Sequence, residues 1–261
     1  MANLGSDLTL NQTVELVSRL GRFGLSSEMA KKLMGDDEAM RAFVCDGLKS
    51  FSAKSDLIHG VFNTTDNVLA AFRARCAAKG IDFGKFSWVG SEQAPEFDPN
   101  DPETVVVLDA TLDTLKNTFE FAWAWTADSQ EKQYRWEGMV SDPEKLTLLD
   151  GLEFKPFTLR WVRIKLDTNV GSKPIDVRNA KTSPGCALLF MSAEHPERIK
   201  ATDYKVRFGF WLPGLKCTAP DGAAWRRVPH VFFFLDDRQV ELHSSWYGHS
   251  HDDLAVPSFR E

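Results

Sequence analysis

The stretch "RRVPHVFFFLDDRQVELHSSW" (226–246) narrows the fold more than any other part of the chain. In its second half, apolar Val240 and Leu242 alternate with polar neighbours. Glu241 and His243 flank Leu242 from the opposite side, which is the period of two expected of a half-buried strand. Val231 and Phe233 hold the same phase in the first half, and Asp236-Asp237 supply a turn between the halves. The reading is a β-hairpin with Val231, Phe233, Val240, Leu242 and Trp246 as its buried scaffold.

The rest of the chain separates into helical and mixed parts. Residues 8–49 read as short helices: "LSSEMAKKLMG" offers Ser26 or Ser27 as N-cap and Gly35 as terminator. A longer helix starts at Thr65 or Asp66, carries Val68, Leu69, Phe72 and Cys76 as its stripe, and ends at Gly80. Residues 1–88 are therefore assigned to a small all-α module. The acid- and proline-rich segment 89–103 is assigned to a linker. Beyond it, "TVVVLDATL" and "TLRWVRIKL" read as strands, and Leu115, Phe119, Ala122 and Trp123 fall at helical spacing. A second helix is expected after Ser183 as cap and Pro184, with Pro196 breaking it. "RFGFWLPGL" and "AVPSFRE" are further strands. Residues 104–261 thus form an α+β domain.

Composition removes some function classes. The chain has 261 residues and a formal net charge of −6, and its basic pairs, such as Arg226-Arg227, are isolated. A nucleic-acid partner would call for a clustered basic face. No run reaches the ~18 apolar residues of a membrane span, and the start lacks a secretory pattern, so the expectation is a cytoplasmic protein without membrane insertion. Cys45, Cys76, Cys186 and Cys217 form no CxxC and are expected as reduced, buried thiols.

The end of the chain is chemically dense. From His243 to Leu254 there are three histidines, three serines, two aspartates and two aromatics. His243, His249 and His251 with Asp252 or Asp253 match the ligand types of an open metal site, which would make the chain a metal-dependent enzyme. Nucleophilic catalysis has no G-x-S-x-G support, and nucleotide binding has no glycine-rich loop. A third reading takes the segment as a recognition surface, since rigid aromatics with small polar groups are the chemistry of binding loops.

The stretch "WRRVPHVFFFLDDRQVELHSSWYGHSHDDLAVPSFRE" resembles the variable region of the variable proteins of diversity-generating retroelements. "DVRNAKTSPGCALLFMSAEHPERI" and "FGFWLPGL" resemble the non-variable part of the same group. Those proteins are similar to C-type lectins of the formylglycine-generating-enzyme branch. In them, adenine-directed rewriting changes the codons of a ligand-binding face at the end of the gene. The resemblance covers residues 224–261 most closely and 104–223 more loosely. It implies a C-type-lectin-like domain over 104–261, with a variable region at about 224–261.

Rewriting the first two bases of AAC or AAT codons reaches every residue except Lys, Gln, Glu, Met and Trp. Gln239, Glu241 and Trp246 are therefore outside the variable set. The positions the resemblance implies as displayed are Phe232, Phe234, Asp236, Asp237, His243, Ser244, Ser245, Tyr247, His249, Ser250, His251, Asp252 and Asp253. Trp246, Val256, Pro257 and Phe259 are assigned to the scaffold. Formylglycine-generating enzymes use paired cysteines near the C-terminus, whereas Cys217 is the last cysteine here. The expectation is a non-enzymatic binding protein without catalytic residues, metal or cofactor. Its ligand would be a protein or a glycan, and its binding would vary between pH 5 and 8. An adaptor acting through the N-terminal helices is the remaining alternative.

Overall fold

A helix whose apolar side chains recur along one stripe must find a partner surface, and the helix Thr65–Ala78 (α1) finds it in the C-terminal part of the chain. In the computed structural model, the described residues are 65–96, 101, 103–130, 132–200, 209–218, 225–234, 237 and 239–260. The helices expected within 8–49, along with Cys45 and Asp236, lie outside them. Val68, Phe72 and Cys76 of α1 are buried in the main core. The Phe72 ring meets Phe86 at 5.4 Å, Phe121 at 5.5 Å and Phe190 at 6.4 Å, each edge to face. Gly80, at φ +69°, ends the helix in a backbone conformation that a β-carbon would strain. Thr64–Glu261 is one compact unit. The boundary placed after residue 88 is thereby corrected, because the burial of Phe72 depends on partners more than forty residues away.

The unit is α+β. β2 (Thr104–Thr111) pairs along its length with β5 (Thr158–Lys165), antiparallel. On the other side of β5 lie β1 (Ser87–Trp88), parallel, and the last strand β11 (Ser258–Arg260), antiparallel. Between β2 and β5 come α2 (Leu115–Asp128), β3 (Gln133–Arg135) and β4 (Leu146–Leu148). Thr114 caps α2 by accepting a hydrogen bond from the Asn117 backbone at 3.1 Å. Phe119, Phe121, Trp123 and Trp125 of α2 are all buried.

After β5 come the short helix α3 (Pro174–Val177), then α4 (Ala187–Glu194) and α5 (Pro196–Lys200). The second expected helix starts later than Ser183. Cys186 precedes its first turn, and the Ser183 hydroxyl instead accepts from the Asn179 N–H. All eight residues of α4 are buried. The end of α4 covers the far edge of β2, where no further strand is paired among the described residues. Glu194 Oε2 accepts from Leu108 N–H at 3.0 Å, and His195 Nε2 lies 2.9 Å from the Val106 carbonyl. Side chains thus stand in for a missing strand and keep the edge from pairing elsewhere. Burial holds the Glu194 carboxyl well above its ordinary titration range.

The second sheet carries the C-terminal hairpin. It joins β6 (Gly209–Trp211), β7 (Leu215–Cys217), β8 (Arg227–Phe234), β9 (Gln239–Trp246) and β10 (Leu254–Ala255), with β3 and β4 as outer members. β8 has β9 on one side and both β6 and β7 on the other. The approach of β6 requires Gly209, where a β-carbon would lie 2.4 Å from the Val231 carbonyl oxygen. The expected terminal strand is split at Val256-Pro257 into β10 and β11, one in each sheet. Cys76, Cys186 and Cys217 are buried free thiols. Among the described residues, no helix is long and apolar enough to cross a membrane.

A chain of residues 64–261 should melt cooperatively by circular dichroism. One of residues 89–261 should lose well over the ~3–5 kcal/mol that a single buried Phe-to-Ala change costs. Equal stability of the two would contradict the placement of α1.

Candidate functional site

Burial along the hairpin follows the sequence phase on its inner side. Val231, Phe233, Val240 and Leu242 are buried against the main core. Their register brings Val231 opposite Leu242 and Phe233 opposite Val240, so the inner row is two cross-strand apolar pairs. The outer positions carry a different chemistry, a chain of rings in contact. Tyr134 of β3 lies 5.4 Å from His243, His243 lies 5.4 Å from Phe232 and 6.0 Å from His230, and His230 stacks on Phe232 at 5.6 Å. Trp211 and His251 close this row, each within 6.0 Å of His230.

A second, smaller core anchors the tail beyond the hairpin. Trp211, Val228, Leu254 and Val256 are buried together, with Val177 and Tyr247 packed against them. The backbone is held at the same points. Ile175 N–H donates to the Tyr247 carbonyl, Gly171 N–H to Leu254 and Val256 N–H to Thr168, at 3.0–3.1 Å. Between these clamps, His249, Ser250, Asp252 and Asp253 are exposed.

The positions expected on display divide as follows. Phe234, Asp237, His249, Ser250, Asp252 and Asp253 are exposed, whereas Phe232, His243, Ser245, Tyr247 and His251 are half-buried. Ser244 is corrected. It is only 4 % exposed, because two residues beyond Leu242 it shares the inward phase. Its hydroxyl accepts from Arg227 Nε at 3.1 Å, and its carbonyl accepts from Arg227 Nη2. Trp246 is corrected in the opposite sense. It is 38 % exposed at the end of β9, stacked on Tyr247 at 5.4 Å with the Arg226 guanidinium 5.7 Å from its ring. Of the other scaffold positions, Val256 and Pro257 are buried and Phe259 is half-buried.

Sequence reasoning leaves three members of the outer row out of the site, although strand alternation already turns Glu241 outward. Tyr134 lies on a three-residue strand with no alternation to detect. Glu241 falls outside the set that codon rewriting reaches, yet it sits amid the rings with its Oε2 2.9 Å from His243 Nε2, a contact in which the imidazole N–H donates. His230 is buried under the ring row. Burial, then the neighbouring His243, His251 and Arg227, push its pKa down to about 3.

Among the described residues, no group of three His, Cys, Asp or Glu side chains is placed to hold a metal ion. His243 turns to Glu241, His251 packs on Trp211 at 5.5 Å, and His249 is exposed. The ligand set expected of a metal-dependent enzyme is therefore not assembled. A cavity of about 410 Å³ lies between the end of α1 and α2, lined by Lys79, Asp82, Lys85, Asn117 and Glu120, and no hairpin residue lines it. No protein-family model, curated protein sequence or solved structure matches the chain.

His230 generates a pH prediction. Its folded pKa lies below the ordinary histidine value of about 6.5, so the unfolded chain takes up the proton first as pH falls. The stability that neutral His230 contributes is present above about pH 6.5 and is lost as pH falls towards 3, at up to ~1.4 kcal/mol per pH unit. His230→Phe should flatten this acid limb in denaturant titrations. An unchanged limb would show that His230 is not the group responsible.

Proposed function

We propose that the unit is a ligand-binding domain of the variable-protein type, built on a C-type-lectin-like fold, with the outer face of β8–β9 and the following turn as its binding surface. One observation carries the reading: inner and outer positions of one hairpin are divided between core and surface. Val231, Phe233, Val240 and Leu242 hold the backbone, while Phe232, Phe234, His243 and Ser245 extend from the other side. Side chains there can change without removing an inner contact. The tail is fixed the same way, with Leu254 and Val256 buried and His249 to Asp253 outside or at the margin. Two sheets, two long helices and a last strand bound beside β5 are compatible with the lectin-type scaffold.

The surface suits a protein ligand. Tyr134 and Phe234 are large exposed rings on the outer face, and Trp246 is exposed beyond the end of the inner row. Exposed aromatics of this kind are the usual anchors of protein interfaces. The proposed protein is not an enzyme, binds no nucleic acid and needs no cofactor. The metal-dependent alternative lacks a converging ligand set among the described residues.

The DNA beside the gene tests the retroelement part of the proposal. It should contain a near-copy of the segment encoding residues 224–261, differing at adenines and lying near a reverse-transcriptase gene. A locus with no such copy would remove retroelement diversification from the account.

A further inference from the structure

Glu241 occupies an unusual position in the proposed ligand face. β9 has a partner on each side, and both place an aromatic residue level with this carboxylate. Tyr134 is its register partner on β3 and Phe232 its register partner on β8. Neighbouring strands run about 4.8 Å apart, so the two rings bracket the acidic group closely. Both rings also contact His243 at 5.4 Å, which puts Tyr134, Phe232, His243 and Glu241 on one face.

The carboxylate is held in orientation along its own strand. Gln239 Nε2 donates to Oε1 at 2.6 Å, and His243 Nε2 donates to Oε2 at 2.9 Å. Each carboxylate oxygen has two acceptor sites, so one on each remains for a ligand. The Glu241 side chain is only 12 % exposed, enough to be met by an incoming group with little water in competition. Among the described residues, no Lys or Arg forms an ion pair with it. Arg135 is committed to Glu120 and Arg227 to Ser244. His230, the next imidazole along the row, is kept uncharged by burial and adds no repulsion towards a cation.

A carboxylate with two open acceptor sites, between aromatic rings, fits a planar cation. A guanidinium meets the carboxylate as a two-pronged donor and lays its faces against the rings. An ammonium offers a point charge and no flat face, so the guanidinium is the better match. We propose that Glu241, between Tyr134 and Phe232, is a guanidinium subsite that takes an arginine side chain of a protein ligand. The subsite rests on the reading of the β8–β9 face as the ligand surface. It adds a chemical preference that the rest of that face does not specify.

The test is a titration of the full chain with N-acetyl-arginine amide, followed by NMR at Tyr134, Phe232 and His243, beside the uncharged isostere N-acetyl-citrulline amide. Arginine should give saturable shifts confined to these residues, and citrulline should bind at least about tenfold more weakly. Glu241→Gln keeps the shape, its amide oxygen accepting from Gln239 and its NH2 donating to His243 Nε2 once that imidazole carries its proton on Nδ1, and should weaken the arginine response by about tenfold. Tyr134→Ala should weaken it several-fold, while the remote Glu144→Gln should leave it unchanged. Spectra elsewhere in each variant report that the fold is retained. Equal binding of arginine and citrulline, or an undiminished response in Glu241→Gln, overturns the subsite. Loss of the arginine response beside an intact adenine-variant gene copy removes the subsite alone. A saturating arginine response at a locus without that copy removes the retroelement reading and leaves the subsite standing.

Discussion

The double row of apolar side chains beneath β8 and β9 is the contact on which the rest of the structure depends. Val231 with Leu242 and Phe233 with Val240 tie the hairpin to a core that also holds α2 and α4. Because strand side chains alternate, anchoring one row fixes the direction of the other. The rings of Phe232, His230, His243 and Tyr134 occupy their places because the row below them is buried. Without that row, a slip of one residue would exchange the two faces.

Two further devices keep the surrounding backbone in place. The open edge of β2 is closed by side chains at the end of α4, with Glu194 and His195 taking the place of a neighbouring strand. The tail after β9 is secured by Trp211, Val228, Leu254 and Val256, and by backbone bonds to the segment 168–175. Between those anchors, His249, Ser250, Asp252 and Asp253 are left to solvent. Rigid backbone beside exchangeable side chains is the arrangement a pre-organised binding surface requires, since little ordering entropy is lost on association.

Much of this architecture is legible in the sequence where local periodicity carries it. β2, α2, β5 and the hairpin match their expected positions, because each is long enough for its period to register. The stripe on α1 is equally visible, but its destination is not. The aromatic partners of Phe72 lie at 83–86, 121–125 and 190, and no local pattern connects them. β3 and β4 are three residues each, too short for alternation, so the pairing of Tyr134 with Glu241 has no sequence signal. Ser244 does have one: counting by two from Leu242 turns it inward, against the general preference for small polar residues as display positions. Trp246 shows the limit of the same count, since the inner phase there runs past the end of the core and leaves the ring beside Tyr247 and Arg226.

Amide hydrogen exchange across β8 and β9 gives the most direct check on the central claim, comparing two altered chains. In one, Phe232, Phe234, His243 and Ser245 are all exchanged for unrelated residues; in the other, only Leu242 becomes Ala. The account predicts near-native protection in the first chain. It predicts a loss of ~2–5 kcal/mol of protection in the second, the usual cost of a buried Leu-to-Ala change. Protection that collapses with the outer set, or survives the loss of Leu242, would contradict it.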